Sequence, residues 1–135
     1  MHYVVIDTNV LVSALITRNE LSPTVRILRM LAQGKIVPVY SKEILEEYRQ
    51  VLRREKFKLD GQIVDALIKD IAENGIEITR FKKITEKILD PKDVVFYLVT
   101  VSSLKENTML VTGNGKHFPV KPFIVTPALL VSLIE

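Results

Sequence analysis

The chain has no cysteine and only two histidines in 135 residues. Without thiols there are no disulfides and no thiolate ligands or nucleophiles, and two imidazoles cannot build a three-histidine zinc centre. Any catalytic metal must rest mainly on oxygen, which points to a hard cation such as Mg²⁺ or Mn²⁺. No apolar run is long enough to span a bilayer, and no basic leader precedes the first one, which Asp7 interrupts. These absences predict a soluble, cytoplasmic protein with no membrane partner. Internal repeats, low-complexity tracts and linkers are also missing. No glycine-rich loop follows the first apolar segment and no Walker motif occurs, which argues against a nucleotide-cofactor enzyme on a Rossmann-like sheet.

What is present suits a packed domain. An apolar fraction of 47% and a positive mean hydropathy of +0.20 argue against disorder. The length predicts one domain, residues 1–135. Nineteen Lys and Arg against sixteen Asp and Glu give a net charge of +3, weak by itself as a sign of a nucleic-acid partner. Its distribution says more: Arg49, Arg53, Arg54, Lys56 and Lys58 crowd one segment, opposed there by Glu55. Solvated helix faces also look like this, so the cluster reads either as ordinary surface or as a phosphate-contacting stretch.

Strand and helix patterns alternate along the chain. Apolar residues up to Ile6 read as a strand, followed by a short helix over Val10–Ile16. Ser22-Pro23 opens a helix reaching Gln33, with Gly34 closing it. Ile36–Tyr40 reads as a strand. Ser41 caps a helix whose Ile44, Leu45, Tyr48, Val51 and Leu52 share one face. Asp60 caps the next, which Asn74-Gly75 ends, and Ile76–Ile78 reads as a third strand. Asp90-Pro91 starts a helix through about Lys105; strands at Thr108–Thr112 and Phe123–Val125 and a helix from Thr126-Pro127 complete the pattern. Strands separated by helices predict an α/β three-layer sandwich with a mostly parallel central sheet of about five strands. The helix over 24–33 carries an apolar arc wider than one core contact needs, so it is either wedged within the fold or covered by a second copy or a partner protein.

The acids stand where such a sheet gathers its ligands. Asp7 follows the first strand at the carboxyl edge, where open α/β sheets bind ligands, although Asp7 or Asn9 could equally cap the following helix. Glu47 lies about 40° beyond its helix's apolar stripe, a margin that can face a cleft or solvent. Asp90 and Asp93 suit a helix start, as N-cap and third helical residue, and Asp93 could also project toward the edge that holds Asp7. Carboxylates held close repel one another, and a divalent cation relieves that repulsion. After the fourth strand, Thr112-Gly113-Asn114 is sufficient as a turn, but the Thr112 hydroxyl and Asn114 amide could orient water or phosphate. His117 reads as packing or hydrogen bonding near Phe118 rather than as a general base.

Taken in order, Asp7-Thr8-Asn9-Val10-Leu11, Ser41-x-x-Ile44-x-x-Glu47-Tyr48, Asp90-Pro91-Lys92-Asp93 and Thr112-Gly113-Asn114-x-x-His117-Phe118 resemble the PIN-domain nucleases, nearest to the VapC-like branch of toxin components of toxin–antitoxin pairs. The resemblance implies a Mg²⁺- or Mn²⁺-dependent endoribonuclease acting on RNA. Its three central acids would fall on Asp7, Glu47 and Asp93, with Asp7 and Asp93 on the metal, and Asp90, Thr112, Asn114 and Asn9 assisting. Arg49, Arg53, Arg54, Lys56 and Lys58 would hold the RNA backbone, and a cognate antitoxin and a homodimer would be the protein partners. The sequence departs from many PIN domains in having Asn114 and His117 where they carry acids. The alternative is a PIN-like module that binds RNA or protein without cutting.

Overall fold

The computed structural model describes residues 1–88 and 90–135. Five strands, β1 (His2–Ile6), β2 (Ile36–Tyr40), β3 (Ile76–Glu77), β4 (Met109–Val111) and β5 (Ile124–Val125), form one sheet in the order β3-β2-β1-β4-β5. Every pairing is parallel. The helices are α1 (Thr8–Ile16), α2 (Pro23–Ala32), α3 (Lys42–Leu52), α4 (Gly61–Asn74), α5 (Pro91–Ser102) and α6 (Pro127–Ile134), with short 3₁₀ turns at Glu55–Phe57 and Gly115–His117. The result is a three-layer α/β sandwich, as the alternating pattern predicts, with every strand parallel rather than most.

Helix starts follow local chemistry. Ser41, Asp60, Asp90 and Thr126 each accept a backbone N–H from the first turn of the helix they precede. Gly34 takes a left-handed φ of 74° just past α2. Helix ends depart from expectation. Helix α5 stops at Ser102, short of Lys105, because Ser103 Oγ meets Thr108 Oγ1 at 2.7 Å and accepts from Lys105 N at 3.2 Å. This local side-chain turn competes with further helix. The later strands are likewise shorter than predicted, by one or two residues at their ends.

Val4, Val5 and Ile6 of β1 and Leu110 and Val111 of β4 are fully buried at the centre of the core. Helix α5 lies against β1, β2 and β4 and touches α3; α4 lies against α3 and β2. The apolar arc of α2 rests on α1, β2 and α6, which bury Ile27, Met30 and Leu31, while Val25 and Leu28 at its margin are half-buried. Among the described residues no helix is long and apolar enough to cross a membrane.

The strand order reverses at β1, which has the chain's earlier strands on one side and its later strands on the other. In register, Ile6 lies beside Val111, and Asp7 N donates to Val111 O at 3.0 Å. The residues following β1 and β4 therefore emerge together at the carboxyl edge, at the switch point where such sheets open a crevice.

Candidate active site

Asp7 sits in the N-cap position of α1, yet its carboxylate makes no capping bond. Of the two readings its position allows, capping is not the one used. Instead Asp7 Oδ2 accepts the Thr112 hydroxyl at 2.7 Å and the Asn9 amide at 3.1 Å. Asn9 Oδ1 in turn accepts Gly113 N–H at 3.2 Å, and Thr112 Oγ1 accepts Asn114 N–H at 3.0 Å. A Cβ at Gly113 would stand 3.4 Å from Asn9 Oδ1, so the turn after β4 lies in van der Waals contact with the start of α1. Asn114 thus enters the network through its backbone.

Glu47 is half-buried on α3, whereas Glu46 beside it is exposed. Its Oε2 accepts the hydroxyl of Thr8, the residue after Asp7. Tyr48 anchors the same helix by donating its buried hydroxyl to Ile6 O at the end of β1, and its ring leans on Phe96, centroids 6.3 Å apart. Phe96 lies three residues beyond Asp93 on one side of α5, so the aromatic pair joins the two helices that carry Glu47 and Asp93. Asp90 sits at the rim as a cap, its Oδ1 accepting Lys92 N–H at 2.9 Å.

The electrostatics follow from burial. The Asp7 carboxyl, 5% exposed, is raised to about 6, chiefly by desolvation; the Thr112 bond pulls it down, while the charges of Asp93 and Glu47 push it up. Asp93 is also raised, first by burial and then by the charge of Asp90, with Glu47 adding to it and His117 opposing. Asp93 Oδ2 is buried with no hydrogen-bond partner. His117 Nδ1 stands 3.5 Å from that oxygen, too far for a good hydrogen bond. Three segments far apart in sequence thus converge as mutually repelling carboxyls.

Among the described residues no three His, Asp or Glu side chains form a ready metal cage. In chemistry the donors nevertheless suit a hard divalent ion: a buried carboxyl at Asp7, raised by desolvation and by the charge of Asp93, and a half-buried one at Asp93, raised by burial and by the charge of Asp90, with one oxygen lacking a hydrogen bond. A cation of the Mg²⁺ type takes one or two carboxylates and keeps several waters, so a full cage is not needed.

Of the residues singled out from sequence, Asp7, Asn9, Glu47, Asp93, Thr112 and the Asn114 backbone come together, and Asp90 borders them. Two members of the site had no assigned role. Thr8 holds Glu47 across 39 positions, a separation that carries no local signal. His117, read as packing or hydrogen bonding, is exposed and faces Asp93 from the 3₁₀ turn after β4; its place three residues beyond Asn114 was the available clue. In the basic segment, Arg49 pairs with Glu46 at 3.0 Å and Arg53 with Asp65, leaving Arg54, Lys56 and Lys58 outside any ion pair among the described residues.

No curated protein and no solved structure matches the chain. A family model for the PIN domain matches residues 3–116, which include every residue of this site except His117. The chain belongs to the PIN-domain family, a nuclease-type domain whose members generally use divalent metal ions.

Proposed function

We propose that this PIN domain is a Mg²⁺- or Mn²⁺-dependent endoribonuclease. One observation carries the reading: Asp7, buried at the switch point and released from capping, lies near enough to Asp93 for that charge to raise its pKa, and Asp93 Oδ2 has no hydrogen-bond partner. Asp7 and Asp93 would hold the ion, and Glu47 would complete the site directly or through water. When bound, a divalent ion supplies positive charge against the phosphate and makes water easier to deprotonate. Thr112 and Asn9 fix the Asp7 carboxylate by both bonding its Oδ2, and Thr8 orients Glu47. Holding these groups before substrate arrives avoids reorganisation during the reaction.

The expected result is that Asp7→Asn lowers Mn²⁺-dependent cleavage of RNA by at least roughly a hundredfold while the circular dichroism spectrum stays that of the wild type. Full activity in that variant overturns the assignment. A second reading, a binding module that does not cut, draws support from the lack of a ready three-ligand cage among the described residues. Cleavage assays with Mn²⁺ on structured and single-stranded RNA separate the two.

The toxin role rests on motif resemblance to the VapC-like branch. Under that reading the partner is a small antitoxin, and co-purification with the product of a neighbouring short reading frame tests it.

A further inference from the structure

We infer that RNA reaches the acidic pocket along a track of cations formed by Lys92, Lys42, Arg54, Lys56 and Lys58, with Lys42, Arg54 and Lys92 gripping phosphates beside Glu47. This rests on the ribonuclease reading and names the residues that would hold its substrate.

Ion pairing sorts the cations. Arg49 lies 3.0 Å from Glu46, and Arg53 contacts Asp65. Such half-exposed pairs add little to stability. Each nevertheless sets a negative charge beside the cation, so a passing phosphate meets a dipole instead of a net charge. Among the described residues, Lys42, Arg54, Lys92, Lys56 and Lys58 have no carboxylate within ion-pair distance.

Position then joins them to the acids. Lys42, Glu47, Val51, Arg54 and Lys92 line one depression of about 510 Å³ between α3 and the start of α5. Lys92 immediately precedes Asp93, and Glu47 forms part of the wall. Arg54 also lines a second depression, about 650 Å³, with Lys56 and Lys58. The two hollows share Arg54 as lining, so cations run from the 3₁₀ turn at Glu55–Phe57 to Glu47 and to Lys92, the neighbour of Asp93. Of the acids lining the first hollow, Glu46 is paired with Arg49, Glu47 belongs to the acidic site itself, and Glu43 is the one left to oppose the cations. A phosphate backbone suits such a path, because contacts of this kind fix position and need no base sequence.

The test is fluorescence anisotropy of a 5′-labelled single-stranded RNA in EDTA, titrated from low to high salt. Three chains are compared: wild type, the triple variant Lys42→Gln/Arg54→Gln/Lys92→Gln, and the double variant Arg49→Gln/Arg53→Gln. Each phosphate contact on a single strand contributes about 0.7 to the slope of log affinity against log salt. The triple variant is expected to lose about 2 from that slope and at least roughly tenfold in affinity at low salt, and the double variant less than about 0.5. Equal losses in both variants, an unchanged triple variant, or no RNA binding by the wild type overturns the track. Cleavage in Mn²⁺ is scored separately. A wild type that cuts RNA but shows no slope difference removes only the track, whereas one that binds with the expected slopes and never cuts removes the nuclease reading.

Discussion

At the residue scale, the cost of the site is concentrated in Asp7. Its carboxyl titrates near 6 in the folded chain against an ordinary value of 3.8, because burial disfavours the ionised form. The native state therefore holds this proton more tightly than the unfolded state does. The contribution of Asp7 to the stability of the metal-free protein is greatest below about pH 4, falls as the pH rises toward 6, and is level above that. A shift of about two units corresponds to roughly 3 kcal/mol. Urea denaturation in EDTA should show that loss in the wild type and little of it in Asp7→Asn, which should be the more stable chain at pH 7. A variant with the same pH dependence as the wild type would assign the cost to another group.

The residues also show what a sequence can disclose. Asp7 was visible because an apolar strand ends on it, but its position suited a cap as well as a ligand. Only the missing cap bond and the hydroxyl from Thr112 separate those roles. The pairing of Thr8 with Glu47 and of His117 with Asp93 is a fact of packing between α1, α3, α5 and the turn after β4, and no spacing in the chain encodes it. Likewise, five neighbouring cations look alike in sequence until Glu46 and Asp65 claim two of them.

Among elements, helix starts were readable and helix ends less so. A cap is a side chain bonding a backbone two or three residues away, so Ser41, Asp60, Asp90 and Thr126 declare themselves. The end of α5 depends on Ser103 finding Thr108 across a turn, which competes with a strongly helical apolar run. Gly75 marks another such junction. A Cβ there would stand 2.5 Å from both Ile71 O and Pro38 O, so the glycine lets the end of α4 close against β2. Gly75→Ala should therefore cost about 1–3 kcal/mol as backbone atoms move apart. Chemical denaturation at constant pH measures it, and a neutral result would mean that this junction relaxes freely.

For the whole molecule, the parallel sheet was legible from the alternation of strands and helices, since parallel neighbours need crossovers, whereas the strand order came only with the structure. The broad apolar arc of α2 was not decisive, because periodicity counts apolar positions without naming what covers them; α1, β2 and α6 bury its centre at Ile27, Met30 and Leu31. Ligand linkage also belongs to this scale. If Asp7 and Asp93 bind a divalent ion only when the fold is intact, Mn²⁺ at a hundred times its dissociation constant adds about 2.7 kcal/mol. Thermal unfolding should then shift upward with Mn²⁺ in the wild type and not in Asp7→Asn. Equal shifts in both chains would place the ion elsewhere.

The bond from Thr112 to Asp7 spans 105 positions. A ribosome must therefore synthesise most of this polypeptide before the pocket can close. Shorter nascent chains lack that closure, so the Asp7 carboxylate gains its hydroxyl partner late, with the docking of β4.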